Sequence, residues 1–317
     1  MPGYGTYTNS NRNFFVRSVA FRAGMWYTAG KERTSVRREG CGMRKLNLNI
    51  MHVDGVSSEQ QMRILKEVGW DGYFDDDLPD LDFAESARLA REIGLTRQSF
   101  HAPFDGAAVI WENGGKGDRE VDRQIGYLRL CAEYGVPVMV MHAIIGMDKH
   151  SPTHLGTERF GKIFAEAERL GVTVALENTE GEEYLERLLT AYRGCRAVKF
   201  CIDTGHEMCY NDRRDLIGKY GDRLVCTHLN DNMGRTGDEI TFLDDSHMMP
   251  FDGTADWQNI ADRLNRAGYA GDLTFELTYE SRPHRDTHRI YAGLDYRGFV
   301  TRLLEKARAF AAMLDGN

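Results

Sequence analysis

"VKFCIDTGHEMCYN", residues 198–211, is the stretch on which the reading of this chain turns. Val198 to Ile202 is a short apolar run of the kind that forms a buried strand. It stops on Asp203, turns at Thr204-Gly205 and places His206 three residues later. A strand that is apolar along its length and chemical at its C-terminal end is the unit of a parallel α/β sheet, where binding groups gather beyond the carboxyl ends of the strands.

The same unit recurs along the chain. Strand segments are expected at 46–52 (LNLNIMH), 70–76 (WDGYFDD), 95–103 (LTRQSFHAP), 136–143 (VPVMVMHA), 172–178 (VTVALEN), 197–203 (AVKFCID), 224–231 (LVCTHLND) and 272–278 (DLTFELT). Between them run amphipathic stretches such as SSEQQMRILKEVG, LDFAESARLAREIG and FGKIFAEAERLG, which end at Gly69, Gly94 and Gly171, residues suited to the left-handed position that closes a helix. Strands that alternate with helices imply parallel pairing through crossover helices. Eight such units, closed by a last helix over 297–314, predict an α/β (β/α)8 TIM barrel.

A barrel of this kind carries its site at the C-terminal ends of the strands, and those ends read His52, Asp75, His101, His142, Glu177, Asp203, His228 and Glu276. Four of the chain's ten histidines stand at such ends, more than chance placement would give. The longer loops, about 103–118, 143–157 and 231–253, fall on the same face.

The 317 residues include 42% hydrophobic residues, enough for one large core. Residues 1–42 are rich in Gly, Ser, Thr, Asn and Arg with no sustained period, and are expected to be a disordered or peripheral irregular extension, with 43–317 forming the single barrel domain. Met43, directly before patterned sequence, is the expected natural start. Residues 1–45 hold nine Lys/Arg against two Asp/Glu, so the rest of the chain is strongly acidic, a poor match for a polyanion such as nucleic acid. The six cysteines form no CxxC pair, and Cys201 and Cys226 lie in apolar runs, which points to a reduced, cytoplasmic protein. No stretch reaches the length of a membrane span, and no signal-peptide core is present.

Glu177, Asp203, His228 and Glu276, from strands five to eight, are expected to converge. Three carboxylates and an imidazole around one point repel each other unless a cation compensates. A divalent ion is the economical answer, and oxygen with nitrogen ligands suits Mn²⁺, Zn²⁺, Co²⁺ or Mg²⁺. Asp203 also stands where it would cap the turn that follows it. Asp245 and His247, in a D-x-H spacing, are candidates for an additional metal, with Asp256 or Thr254 as helix cap behind them. His101 and His142 are expected to contact substrate. Trp111, Phe104 and Phe251 are loop aromatics that could stack on a sugar or close a lid. His150, His154, His284 and His288, and the acidic run 74–80, read as solvated.

The motifs HAPF after the third strand, LEN at the fifth, DTGH at the sixth, THLNDN at the seventh, DSHMMPFDGTADW beyond it and FEL at the eighth resemble the xylose isomerase-like TIM-barrel superfamily, over about residues 46–314. That superfamily holds sugar isomerases and epimerases, inosose dehydratases and endonuclease IV enzymes. The resemblance to its ketose 3-epimerase and inosose branches implies one divalent metal on Glu177, Asp203, His228 and Glu276, with His206 contacting substrate. Glu177 and Glu276 would then be base and acid in proton transfer through a metal-bound enediolate of a keto-sugar, inosose or related polyol. Loss of a β-hydroxyl from the same site would make a dehydratase. The resemblance to endonuclease IV implies three Zn²⁺ on His101, His142, Glu177, Asp203, His206, His228, Asp245, His247 and Glu276. Against that branch, loop 103–118 offers Lys116 alone and the insertion after the seventh strand Arg235 alone, and Phe251 stands where the family commonly has Gly. Arg235 and Glu183 are further candidates for substrate or supporting contacts. A homo-oligomer is compatible with all of these readings.

Overall fold

The computed structural model describes residues 44–146 and 151–315. The expectations for residues 1–42, for Met43 as a start and for His150 lie outside the described residues. Eight parallel strands run in chain order: β1 Leu46–Asn49, β2 Gly72–Asp75, β3 Thr96–His101, β4 Val138–His142, β5 Thr173–Glu177, β6 Val198–Asp203, β7 Leu224–His228 and β8 Leu273–Phe275. Each lies inside its expected segment, and β1 pairs with both β2 and β8, so the sheet curls on itself. The seam between β7 and β8 is closed just past the strand end, where Leu229 N donates to Thr274 O at 2.9 Å and Glu276 N donates to Leu229 O at 3.2 Å. Thr227 fills the remaining gap: its hydroxyl accepts from Thr274 N at 3.0 Å and donates to Thr274 O at 3.3 Å. The fold is the expected TIM barrel.

The helices are α1 Ser58–Val68, α2 Phe83–Ile93, α3 Gly115–Tyr134, α4 His154–Leu170, α5 Glu182–Ala191, α6 Thr204–Cys209, α7 Leu216–Tyr220, α8 Trp257–Arg266 and α9 Tyr296–Asp315. Their ends follow from local chemistry. Ser57 and Gln60 form a capping box on α1, Asp82 and Glu85 another on α2, and Asp256 caps α8 by accepting from Asn259 N at 3.0 Å. Gly69, Gly94 and Gly171 close α1, α2 and α4 at φ 106°, 67° and 72°, conformations in which a Cβ is disfavoured. The main core lies between barrel and helices. A second, small cluster of Val140, Ala175, Cys201 and Cys226 plugs the barrel interior, and both of these cysteines are fully buried. Among the described residues no helix is long and apolar enough to cross a membrane.

Side-chain parity decides which strand ends reach the mouth, because successive residues point to opposite faces. In β2 the inward residue is Phe74, which lies flat against the imidazole of His228 with centroids 4.6 Å apart. Asp75 therefore faces the helices, buried with Arg97 at 2.6 Å and Ser86 Oγ at 3.0 Å. Burial pushes its carboxyl up to about 6 even with Arg97 beside it. β1 ends at Asn49, and His52 lies beyond it with an exposed side chain beside Asp54. Two of the eight expected strand-end groups, His52 and Asp75, thus stand outside the site.

Candidate metal and substrate site

At the C-terminal mouth, ligating atoms of Glu177, Asp203, His228 and Glu276 all lie within 4.8 Å of one another. β5, β6 and β7 deliver the first three as their last residues, and Glu276 follows β8 by one. His228 Nδ1 sits 2.8 Å from Glu177 Oε1 and 3.0 Å from Glu276 Oε2. Asp203 has two structural duties as well. Its Oδ1 accepts from His206 N at 2.6 Å, capping α6, and its Oδ2 accepts from Asn230 Nδ2 at 2.8 Å.

The remaining histidines fall into two groups around this centre. His101 Nε2 and His142 Nε2 each approach Glu177 Oε2 at 3.1 Å. On the other side Asp245 Oδ2 lies 3.0 Å from His247 Nε2 and 3.3 Å from His206 Nε2. Backbone carbonyls set the far side of three rings. Nδ1 of His101, His206 and His247 faces the oxygens of Ala102, Asn178 and Glu276 at 3.0, 2.9 and 3.0 Å. A carbonyl can only accept, so each Nδ1 carries its proton and each Nε2 is turned into the site.

The electrostatics follow from this crowding. Burial opposes ionisation of Glu177, yet His228, His101 and His142 outweigh it and hold the carboxyl well below the ordinary range. Burial likewise opposes charge on Glu276, but His228 brings it down to about 2. Asp203 is different: burial pushes it up to about 7, because His206 and His247 offset only part of the cost. His228 is raised well above an ordinary imidazole by Glu276 and Glu177 despite burial that lowers it.

A cavity of about 500 Å³ opens above these groups, within the range of small-molecule sites. Besides His101, His142, His206, His247 and Glu276 it is lined by Asn49, Phe104, Glu180, Tyr210, Phe242 and Arg282, among others. Phe104 stacks on His142 at 4.4 Å, in keeping with a loop aromatic at the site. A larger open groove of about 860 Å³ lies along residues 77–85 and α3, away from the convergent ligands.

Several expected contacts are placed elsewhere. Trp111 is buried under the loops, where its indole N–H donates to Ala143 O at 2.7 Å and its ring packs on Phe160 and Tyr184, so it does not line the cavity. Its seat exists because Gly156 has no side chain; a Cβ there would fall 2.1 Å from the ring. Arg235 pairs with Asp212 at 2.6 Å, outside the cavity. Phe251 packs against Trp257, and Glu183 is on the exposed face of α5. His288 is buried, not solvated: it contacts Thr278 Oγ1 at 3.3 Å, and burial lowers it to about 4. His154 and His284 are exposed as expected. Asn49, Glu180, Tyr210, Phe242 and Arg282 were not singled out from the sequence. The alternation of LNLN in β1 carried the signal for Asn49, and the arginine-bearing run after β8, ESRPHR, carried that for Arg282.

The family model described as xylose isomerase-like TIM barrel matches residues 62–296. The chain belongs to that family. An uncharacterized protein of Sinorhizobium fredii, y4fM, is 27% identical over 233 residues, covering 63% of this chain and 72% of that protein. A probable endonuclease 4 of Cenarchaeum symbiosum is 28% identical over 146 residues, 38% of this chain and 51% of that protein. Among solved structures, 3-keto-D-glucoside 4-epimerase from E. coli superposes with a TM-score of 0.61 at 18% identity, covering 83% of this chain and 99% of that one. At this identity the likeness speaks to the fold.

Proposed function

We propose that this chain is a divalent-metal-dependent isomerase or epimerase of a keto-sugar, inosose or related polyol. The observation that carries the reading is the convergence of Glu177, Asp203, His228 and Glu276 on one point at the barrel mouth. The donor set fits a divalent ion. It is all oxygen and nitrogen, it is fully buried apart from Glu276, and Asp203 lacks the positive charge it needs to ionise fully at neutral pH. Those four residues would hold the metal, which when bound supplies a positive charge beside a carbonyl and its neighbouring hydroxyl.

The chain's own groups do the proton chemistry. Glu177 and Glu276 reach the mouth from β5 and β8, and the positive charge of His228 holds both carboxyls in their base form before metal binds; once His228 has given up its proton, the charge of the bound ion would do the same. One takes the proton from the carbon next to the carbonyl, leaving an enediolate; the other, protonated from solvent, delivers a proton, and the first then gives its proton up to solvent. Delivery to the opposite face of that carbon gives epimerisation; delivery to the neighbouring carbon gives isomerisation. Nε2 of His206 and His101 faces the cavity and suits a substrate oxygen. The E. coli neighbour is itself an epimerase of a keto-glucoside, in keeping with this reading.

The test is a screen of keto-sugars and inososes in D₂O with added Mn²⁺, Zn²⁺, Co²⁺ or Mg²⁺, read by NMR. Deuterium should enter at the carbon next to the carbonyl only when metal is present, and no exchange with any of them removes the reading. Metal uptake should also release protons. His228 must lose its proton to become a ligand, and its affinity for that proton is raised, so metal should bind more tightly as pH rises through neutrality. Calorimetry in buffers of different ionisation enthalpy reads this directly, and equal heats in all buffers would contradict it.

One observation favours a second reading. All nine side chains of an endonuclease IV ligand set are present around the mouth, and a probable endonuclease 4 is among the relatives. Three bound Zn²⁺ with nicking of abasic DNA would establish it in place of sugar chemistry.

A further inference from the structure

Asp245 is held by a cation that the chain itself provides. Arg282, in the loop after β8, is the one Lys or Arg among the described residues that line the cavity. Its Nε donates to the Asp245 carbonyl at 2.6 Å and its Nη2 to Asp245 Oδ2 at 3.2 Å, so the planar fork grips residue 245 by backbone and side chain together. The same oxygen, Oδ2, is already within 3.0 Å of His247 Nε2 and 3.3 Å of His206 Nε2. Those two imidazoles, with protons fixed on Nδ1 by carbonyls, both turn Nε2 toward Asp245 Oδ2, three groups of the kind that ligate a divalent ion.

We infer that Arg282 takes the place of a cation on Asp245 and so limits the mouth to the single metal held by Glu177, Asp203, His228 and Glu276. The inference rests on the one-metal reading above. Charge supports it. Five carboxylates, Glu177, Glu180, Asp203, Asp245 and Glu276, share this space. One divalent ion together with Arg282 leaves two negative charges among four histidines. Three divalent ions together with Arg282 leave a surplus of two positive charges in a buried site. A mouth without surplus positive charge suits a neutral polyol, whereas the positive one suits a phosphodiester. Arg282 is on this account a specificity-determining residue, acting through metal number. His206 and His247 keep Nε2 for hydrogen bonding.

The experiment counts metal, not turnover. Protein saturated with Mn²⁺ or Zn²⁺ and desalted is analysed by plasma mass spectrometry, and the Mn²⁺ form by EPR. Wild type should hold one ion per chain with an isolated Mn²⁺ spectrum. Arg282→Gln should hold two and show spin coupling, and Arg282→Lys, which keeps the charge, should stay at one. Arg282→Met carries the same expectation as the glutamine variant should that one fail to fold. One ion in both neutral variants, or two in Arg282→Lys, overturns the inference while leaving the one-metal reading intact. Two or three ions in wild type overturn both, and an absence of bound metal in wild type removes the reading on which the inference stands.

Discussion

In Glu276→Gln, turnover should fall by about 10²–10⁴-fold, the range for loss of a positioned proton-transfer group, while solvent deuterium still enters one of the two epimers. Glu177 and Glu276 come from strands separated in the barrel wall by β6 and β7, so in the proposed reaction they would address the reacting carbon from different sides. If each serves one face, removing Glu276 leaves Glu177 able to exchange the proton of the epimer whose C–H points at it. The second epimer should exchange at background. Glu177→Gln should show the reverse pattern, with the preference swapped. Glutamine keeps a carbonyl oxygen at the same position, so Glu276→Gln should retain metal at reduced affinity, and metal content must be measured beside the rate. Exchange of both epimers at the wild-type rate, or unchanged turnover with metal bound, would remove Glu276 from the chemistry.

Fold and site differ in how far the sequence alone reveals them, and strand parity explains most of the difference. The barrel was legible because each unit repeats the same local signals: a short apolar run, a polar end and a glycine-closed helix. Glu177, Asp203 and His228 were legible as mouth residues because each ends its strand on the inward parity, two residues after Ala175, Cys201 and Cys226 of the interior cluster. Asp75 ends its strand too, but on the outward parity, next to the inward Phe74. Strand length misled at β1, where the chain leaves the sheet at Asn49 and carries His52 into solvent. Contacts set by distant chain were not legible. Nothing local marks Gly156 as the space that draws Trp111 inward, or Asp212 as the partner that holds Arg235 away from the cavity. The cap that Asp203 forms on α6 and its place among the four convergent groups both follow from its position at a strand-to-helix turn.

Asp231→Ala should be the most destabilising single change in the mouth, by about 4 kcal/mol. Asp231 makes no part of the convergent cluster, yet its side chain is fully buried and accepts three hydrogen bonds: from Asn232 N at 2.8 Å, Ala255 N at 2.9 Å and Trp257 Nε1 at 2.8 Å. Its backbone exchanges two bonds with Met248, at 2.9 and 2.8 Å. These bonds tie both ends of the 231–257 excursion together, and Asp245 and His247 ride on it. Gly253 is required beside it, since a Cβ there would meet Asp231 Oδ1 at 2.3 Å. Alanine leaves three donors without an acceptor, two of them buried and that of Ala255 partly so, each buried one costing about 1–3 kcal/mol when nothing replaces the bond. Asp231→Asn retains one carboxamide oxygen for the two backbone N–H groups but turns an N–H₂ toward the Trp257 indole, so it should cost about half as much. Urea unfolding gives the ordering, and hydrogen exchange of Asp245 to Met248 should accelerate in the alanine variant before global unfolding. A cost under about 1 kcal/mol for Asp231→Ala would mean that the loop is held by the Met248 bridge and the Trp257 packing alone.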